Sequence, residues 1–519
     1  PINWSEFYRS LSHHFAKIKL PLYEFERIEH WFGDKNKLKD APLPKDWCFQ
    51  IQWQNEPCDK SNRKLRGNRW LLIGPRHLAD GFKAQGLEII YEDEEYSRDK
   101  LEGIIFAESL HLAPPDIEAN IDFQKKTLKK LLNLIKELDN QSIDLQLLIL
   151  TSNGIAELAN DKHPVNISNS PLIGFCKTLA LELPQFKTIL IDMDKIEEDK
   201  YPTQVIEEIN YNHGSRYEHI VAYRGGERLA SRLKKTPLED RRRLLHGVKG
   251  RYLIAGGCGG LGLVTAQSLL SSGARELILT SRNIDKPRIK EAIYKIKSHY
   301  PGANIRVVSL DITDRESLKN LLSELNADGQ LKGIIHAAGA AIKAPLLEHQ
   351  DEDVDYLFSA KVKGGWYLHE LSLDCNLDFF VVYSSVSSVF GSNKESVYSG
   401  TNSFLDALIA ERQRMGLPGT AVQWGPWGEV GMAQKRSRDE GLKQALISNA
   451  QGHVIIKCLI NDEFKHATII SPEYLKFMLD FVPKPLPGFY GQLDEELEKI
   501  PQQHHQSPAK NLSPWLNQY

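Results

Sequence analysis

The sequence predicts an α/β protein built as two units, each a parallel sheet flanked by helices, with a dinucleotide site in the second unit. Three observations carry this expectation. Apolar runs of strand length alternate with segments of helical spacing from Trp47 onward, the pattern of strand–helix–strand units. The stretch Tyr252-Leu-Ile-Ala-Gly-Gly-Cys-Gly-Gly-Leu-Gly262 joins an apolar strand to a helix through a glycine-dense turn, the context that a dinucleotide phosphate requires. The matching turn of the first unit, Gly74-Pro-Arg-His, offers one glycine. At 519 residues the chain also exceeds what one ordinary core organises.

Composition narrows the function classes. Apolar residues at 41% and charged residues at 26% are those of a soluble globular chain. A formal net charge of −3 gives no support for a nucleic-acid or anionic-membrane surface. No uninterrupted apolar run approaches the ~20 residues of a membrane span. The six cysteines, at 48, 58, 176, 258, 375 and 458, form no C-x-x-C pair. That speaks against a metal site and for a reducing, cytoplasmic compartment. Pro1-Ile-Asn-Trp-Ser is neither a basic n-region nor an apolar h-region, so no signal peptide is expected. The absence of a leading methionine suggests a piece of a longer chain.

Taken in order, residues 1–43 carry Trp4, Phe7, Tyr8 and then Leu20-Pro-Leu-Tyr-Glu-Phe-Glu-Arg-Ile-Glu-His-Trp31. This segment is too short for its own core and is expected as an aromatic-rich linker along a larger domain. Residues 44–235 hold the buried strands Trp70-Leu-Leu-Ile-Gly74, Gly103-Ile-Ile-Phe106 and Leu147-Leu-Ile-Leu150, with an amphipathic helix over 123–138. Lacking a glycine fingerprint, this half is expected to be a scaffold, a nucleotide-binding fold without the nucleotide site. Residues 236–485 form the second unit, entered through the basic run Arg241-Arg-Arg, which is expected as a solvated linker face. From Pro485 the pattern loses its periodicity and includes Gln502-Gln-His-His-Gln. Residues 486–519 are therefore expected as a disordered or docking linker.

Within the second unit the glycine turn comes first. Gly256, Gly260 and Gly262 are spaced G-x-x-x-G-x-G, and glycine permits positive φ and close backbone approach. A pyrophosphate can then rest on the amides of the helix start, although a tight turn without ligand has the same pattern. Arg275-Glu-Leu-Ile-Leu-Thr-Ser-Arg282 is the second strand. Its end carries Ser281 and Arg282 where an NAD-binding unit places Asp or Glu for the ribose 2′-hydroxyl. Arginine there either pairs with a 2′-phosphate, which favours NADP over NAD, or is a surface residue without a ligand. Ile305-Arg-Val-Val-Ser-Leu-Asp311 and Gly333-Ile-Ile-His-Ala-Ala-Gly339 are the third and fourth strands, and both end in small or polar residues at the crevice. Asp311 either accepts from an adenine amine or caps a helix starting at Ile312-Thr-Asp-Arg. His336 has no second ligand nearby and is expected to be structural.

Leu377-Asp-Phe-Phe-Val-Val-Tyr-Ser-Ser385 follows as a buried strand ending in serines. Tyr398-Ser-Gly-Thr-Asn402-Ser-Phe-Leu-Asp-Ala-Leu408 is expected as a helix, and Thr420-Ala-Val-Gln-Trp-Gly-Pro-Trp427 as a strand with a Pro/Gly break. In this order the motifs resemble the ketoreductase domains of modular polyketide synthases, within the short-chain dehydrogenase/reductase superfamily. The residues that carry the resemblance are Gly256-Gly-Cys-Gly-Gly-Leu-Gly262, His336-Ala-Ala-Gly339, Ser384-Ser385, Tyr398-x-x-x-Asn402, Trp424-Gly-Pro-Trp427 and the aromatic linker. It covers nearly the whole chain. It implies two Rossmann-like subdomains, a truncated structural one without cofactor and a catalytic one with a doubly wound parallel sheet.

The resemblance also implies a site. NADPH is held by Gly256, Gly257, Gly259, Gly260, Leu261 and Gly262, with Ser281 and Arg282 at the 2′-phosphate. Asp311, Ile312, Ala337, Ala338, Gly339, Pro426 and Trp427 complete the cofactor site, together with Lys361 and Tyr398. Most of the superfamily carries lysine four residues after the tyrosine, where this chain has Asn402. The polyketide ketoreductases carry it earlier, in a segment similar to Ala360-Lys361-Val-Lys-Gly-Gly-Trp-Tyr-Leu-His. Lys361 and Asn402 thus trade places, and Lys363 is a solvated neighbour. Tyr398 is the acid that protonates the ketone oxygen, Ser385 bonds the same oxygen, and Asn402 holds Lys361 or a relaying water. An adjacent ammonium and the positive nicotinamide are expected to lower the phenol below its usual pKa near 10.

Three positions depart from the family pattern. Ala341-Ile342-Lys343 stands where one stereochemical class has an Asp-containing triplet, and Phe390 stands where the other has tryptophan. With both markers absent, the missing acidic triplet leans toward L-configured alcohols. Ala255 replaces the usual threonine of the turn. The implied reaction is reduction of the β-keto group of an acyl chain carried on the phosphopantetheine arm of an acyl carrier protein, beside other polyketide synthase domains. A reductase-inactive docking domain and an epimerising domain are the competing readings.

Overall fold

The computed structural model describes residues 41–57, 68–95, 101–139, 145–210, 218–240, 250–432, 445–460, 464–480, 482 and 487–493. The aromatic linker at 20–31, the basic run at 241–243 and the Gln/His-rich tail at 502–506 lie outside the described residues. The strands of the first half are β1 (Cys48–Asn55), β2 (Arg69–Ile73), β3 (Glu88–Tyr91), β4 (Gly103–Phe106), β5 (Gln146–Ser152), β6 (Ile189–Met193), β7 (Ile220–Arg224) and β8 (Glu227–Lys235). Those of the second are β9 (Arg251–Ala255), β10 (Glu276–Ser281), β11 (Asn304–Ser309), β12 (Leu331–His336), β13 (Phe379–Ser385), β14 (Thr420–Trp424) and β15 (His466–Ile469).

All of them join one sheet in the order β11-β10-β9-β12-β13-β14-β15-β1-β8-β7-β6-β5-β4-β2-β3. The seven strands of the second half are parallel throughout, with β9 between β10 and β12. That reversal of strand order is the switch point where open α/β sheets bind ligands, beyond the C-terminal strand ends. The first half repeats the arrangement with β2 between β3 and β4, but β3 is its edge strand. It is a shorter copy of the same wind. β1 runs antiparallel to both β15 and β8 and so seals the two windings into one sheet.

The helices of the first half are α1 (Leu78–Ala84), α2 (Ile117–Asp139), α3 (Ser170–Glu182) and α4 (Tyr201–Asn210). In the second half α5 (Gly260–Ser271), α6 (Pro287–His299) and α7 (Arg315–Asn326) are followed by α8 (Asp351–Phe358), α9 (Gly364–Glu370) and α10 (Ser387–Phe390). Then come α11 (Ser396–Arg414), α12 (Asn449–Leu459) and α13 (Pro472–Leu479). Most flank the sheet with one apolar face, as α7 does with buried Leu318, Leu321, Leu322 and Leu325. α11 is different, because it is buried on every side from Ser396 to Ala410.

Its company explains this. α11 packs on α3 of the first half through small residues that bring two backbones together. A Cβ added at Gly174 would lie 2.2 Å from the Ser399 carbonyl oxygen, and one at Gly400 would lie 2.7 Å from that of Pro171. Only glycine permits this approach.

Two expectations are corrected here. The chain beyond Pro485 is not wholly a linker: Gly488–Tyr490 forms a 3₁₀ turn, and Tyr490 and Leu493 are buried. The rings of Phe489 and Tyr490 close on Phe390 with centroids 6.2 Å away in both cases, because aromatic area of this size is costly to leave in water. The helix after β11 is capped by Asp314, whose side chain accepts from the Ser317 amide at 3.1 Å. Asp311 instead holds its own turn, accepting from the Thr313 amide at 3.0 Å and hydroxyl at 2.8 Å.

Candidate active site

The glycine turn leaves β9 with Gly256 at φ 79°. A Cβ there would lie 2.6 Å from the Ala338 nitrogen, and one at Gly262 would lie 2.5 Å from the Gly256 oxygen. The turn is therefore wound too tightly for side chains on its inner face. On the other side, a Cβ at Gly259 would meet only the Gly256 oxygen, at 3.2 Å. The first i→i−4 bond of α5 runs from the Leu263 amide to the Gly259 carbonyl at 2.9 Å. The amides of Gly260, Leu261 and Gly262 precede it at the positive end of the helix, and the N-cap Gly259 has no side chain to occupy them. These features fit a pyrophosphate.

Ser281 ends β10, and Arg282 follows it on the surface. Arg282 makes no ion pair among the described residues, so its guanidinium is available to an external anion. Ile312 is buried in the core and meets Gly364. Ala337 continues β12, its amide donating to the Ala255 carbonyl at 2.8 Å. Ala338 lies against Gly256, and Gly339 lies against the stem of Lys361. A series of contacts thus leads from the glycine turn to Lys361.

Lys361 sits in a π-helical turn (Ser359–Lys363) between α8 and α9, a local widening often found at functional sites. Its side chain is buried, and Nζ donates to the Tyr383 carbonyl on β13 at 2.7 Å. The same Nζ is 5.5 Å from the centre of the Tyr398 ring on α11. Asn402, one turn further on, donates from Nδ2 to the Tyr398 carbonyl at 2.7 Å, and its Oδ1 is buried with no partner. Ser385 ends β13, with its hydroxyl oxygen accepting from the Ser387 amide at 3.2 Å. Tyr398, Lys361, Ser385 and Asn402 therefore meet at the C-terminal strand ends.

Some details differ from expectation. Asn402 does not hold Lys361 directly, since each donates to a backbone carbonyl and Asn402 Oδ1 is left for a water or ligand. Tyr398 is shifted upward, to about 12, and not downward. Burial is the largest cause and the Glu395 carboxylate adds to it, while hydrogen bonding with Asn402 and Ser385 offsets only part. Burial lowers Lys361 to about 7, against the opposing pull of the Asp406 carboxylate. Trp427 is 2% exposed, its indole packed on Trp424 with centroids 5.1 Å apart and against Gly452. Its side chain is thus committed to packing, and the Pro426 carbonyl accepts from the Ile447 amide at 2.9 Å. Lys363 pairs with Glu118 at 2.9 Å. His336 is fully buried and held neutral, its pKa lowered to about 3 mainly by burial.

The sequence reading missed the grip of α3 on the segment from Ser385 to Tyr398. Lys177 Nζ donates to the Ser388 carbonyl at 2.5 Å. Thr178 Oγ1 accepts from the Ser392 amide at 3.1 Å and donates to Ser399 Oγ at 3.0 Å. Glu182 accepts from the Lys394 amide at 2.6 Å and the Leu346 amide at 2.8 Å, tying both loops at the site to the first half. Lys343, in the place of the acidic triplet, pairs with Glu395 at 3.4 Å. Gly174, within the apolar stretch Leu172–Cys176, and Gly400 were the local signs of this seam. Val430 and Gly431, which lie over Gly260 and Leu261, carried no signal in the sequence.

Among the described residues no group of three or more His, Cys, Asp or Glu could hold a metal, and no helix is long and apolar enough to cross a membrane. Among the described residues Cys176, Cys258 and Cys375 are free thiols.

A parallel sheet of this order, with the glycine turn after its first strand and a buried Tyr–Lys pair over its edge, defines an oxidoreductase of the short-chain dehydrogenase/reductase type. Comparison with known proteins sharpens this. The KR domain family matches residues 250–429. A phenolphthiocerol/phthiocerol polyketide synthase of Mycobacterium tuberculosis is 30% identical over 56% of this chain and 16% of its own length. The 6-methylsalicylic acid synthase of Penicillium expansum is 33% identical over 58% of this chain and 17% of its own. This chain thus spans under a fifth of either relative. The solved structure titled as A-type ketoreductases from a modular polyketide synthase superposes with a TM-score of 0.74 at 25% identity, over 88% of this chain and 99% of that one. A C2-type ketoreductase shares the fold, with a TM-score of 0.70 at 19% identity over 86% and 100%. Residues 250–429 thus match the KR domain family, and the chain as a whole is similar to the ketoreductase domains of polyketide synthases, domains that bind a nicotinamide cofactor.

Proposed function

We propose that the chain reduces the β-keto group of an acyl thioester, tethered to an acyl carrier protein, to the β-hydroxyacyl thioester with NADPH. The observation that carries this reading is the Lys361 ammonium 5.5 Å from the centre of the Tyr398 ring, reached by continuous contacts from the glycine turn. NADPH, when bound, supplies the hydride. Gly256, Gly257, Gly259, Gly260, Leu261 and Gly262 hold its pyrophosphate, and Ser281 and Arg282 its 2′-phosphate. Asp311 and Ile312 flank the adenine, and the 337–339 turn and the backbone of Pro426 and Trp427 line the rest.

Charge develops on the ketone oxygen as hydride arrives, so a donor aimed there stabilises the transition state. Tyr398 and Ser385 donate to that oxygen, and Tyr398 gives up its proton. A phenol shifted to about 12 stays protonated over the working range, which suits reduction. Lys361 stabilises the phenolate left behind, and Asn402 Oδ1 orients a water that returns the proton. Lys361 is shifted to about 7, so its ammonium is lost as pH rises through that value. The alkaline limb of kcat/KM is expected near 7. The partners are an acyl carrier protein and other polyketide synthase domains.

The direct test follows NADPH absorbance with a β-ketoacyl N-acetylcysteamine thioester. Loss of absorbance with formation of the β-hydroxy product is expected; no loss with folded protein assigns the chain to a reductase-inactive role. Arg282→Ala is expected to shrink the preference for NADPH over NADH by about 10-fold, the scale of one charge-assisted phosphate contact. An unchanged ratio removes Arg282 from the 2′-phosphate.

A further inference from the structure

Ser385 and Asn402 rest on a buried polar network that no expected motif includes. Asp406, two turns after Tyr398 on α11, is 4% exposed. Its Oδ2 accepts from Ser388 Oγ at 2.6 Å and from Gln423 Nε2 at 2.9 Å, while its Oδ1 is buried with no partner. Ser388 Oγ also lies 2.8 Å from the Ser385 carbonyl oxygen. Ser384 Oγ lies 3.4 Å from Ser388 Oγ and donates to the Asn402 carbonyl at 3.2 Å. Gln423 is fixed in turn by Thr468 Oγ1, which donates to its Oε1 at 2.6 Å. One carboxylate therefore ties the ends of β13, β14 and β15 to α11, directly beneath Ser385 and Asn402.

The charges around it make a second point. Lys361 is a buried amine and Lys177 a half-buried one, and they donate to the backbone carbonyls of Tyr383 and Ser388 respectively. A buried ammonium without a counter-charge is costly. Asp406 favours the charged form of both. Other groups face the cluster. Burial raises the Asp406 carboxyl above its usual range, against the opposing pull of His466, whose Nε2 lies 2.9 Å from the Asp406 carbonyl oxygen, and of the bonds from Ser388 and Gln423; Glu157 faces Lys177. His336 faces Lys361 and is neutral, and Tyr398 keeps its proton. Among these groups Asp406 is the only carboxyl that acts on Lys361.

We propose that Asp406 is a positioning residue of the reduction: its carboxylate holds the Ser385 turn through Ser388 and serves as the buried counter-charge of Lys361. The inference rests on the roles given above to Ser385 and Lys361. It assigns a task to a residue that touches neither substrate nor cofactor, so a readout beyond activity is needed.

Asp406→Asn keeps the shape and removes the charge. In the full chain labelled at lysine 13Cε, the Lys361 resonance is assigned by its loss in Lys361→Met and titrated by NMR. Its midpoint is expected to fall by about one pH unit in Asp406→Asn, the scale of one nearby counter-charge, and the alkaline limb of kcat/KM falls with it. Ser388→Ala keeps the charge and breaks the link to Ser385. It is expected to leave the midpoint in place and lower kcat by about 10-fold through misplacement of the hydroxyl. An unchanged Lys361 midpoint in Asp406→Asn overturns the counter-charge, and full kcat in Ser388→Ala overturns the hold on Ser385. Should Asp406→Asn not fold, the wild type decides. The Asp406 13Cγ and Lys361 13Cε signals must each register the other's titration, and independent curves overturn the coupling. A wild-type chain that binds NADPH without reducing any ketone refutes the proposed function, yet leaves the NMR midpoints to judge this inference separately.

Discussion

Tyr398→Phe is expected to lower kcat by about 10³-fold while NADPH affinity stays within about two-fold, the scale for removing a positioned proton donor. The ring keeps its place, because Tyr398 is buried on α11. What disappears is the hydroxyl, and with it the donor aimed at the oxygen that becomes negative. Lys361 cannot substitute: its Nζ is committed to the Tyr383 carbonyl, and burial keeps its stem in place. Ser385 still donates one hydrogen bond, which leaves some activity above background. Single-turnover rates with cofactor binding followed by fluorescence separate the two effects. Undiminished turnover would show that the proton comes from elsewhere.

Gly174→Val should be as damaging from the opposite half of the molecule. A Cβ at Gly174 lies 2.2 Å from the Ser399 oxygen and 2.5 Å from Ser403 Oγ, so α3 and α11 must separate. Overpacking of this kind costs at least about 3 kcal/mol when the obstacle is backbone. Separation also loosens the bonds from Lys177, Thr178 and Glu182 to the segment that carries Ser385 and Tyr398. A displacement near 1 Å at such a site lowers turnover by about 10²-fold. Gly302→Val is the control, because a Cβ there meets nothing within 4 Å. The expected result is a lower Tm and lost turnover in the first variant and neither in the second. Wild-type kcat in Gly174→Val would mean that the cofactor-less half does not position the site.

Much of the site was legible because it obeys local rules. The glycine turn is a backbone requirement, and Gly256 at φ 79° shows why the residue type is fixed. β4 spans Gly103–Phe106 as its apolar run suggested. Other features were not legible. Asp311 and Asp314 are both plausible caps, and only the chain path makes Asp314 the one at the helix start. Phe489 and Tyr490 look like linker residues until Phe390 is beside them. The upward shift of Tyr398 depends on how completely α11 is enclosed, which no window of sequence reports.

Alone, the amino-acid order pointed to alternating strands and helices, to the glycine turn and to the candidate residue types of the site, since strand periodicity, turn glycines and a Tyr–Asn turn are properties of neighbours in the chain. The fold alone decided how far each group is removed from water and which half holds it. Lys177, Thr178 and Glu182 reach the segment that carries Ser388, Ser392 and Lys394 from more than two hundred residues away, and Asp406, on a separate element, favours the charged form of Lys361. Burial and charge act through space, so the pKa values of Tyr398 and Lys361 exist only once the sheet has closed around them.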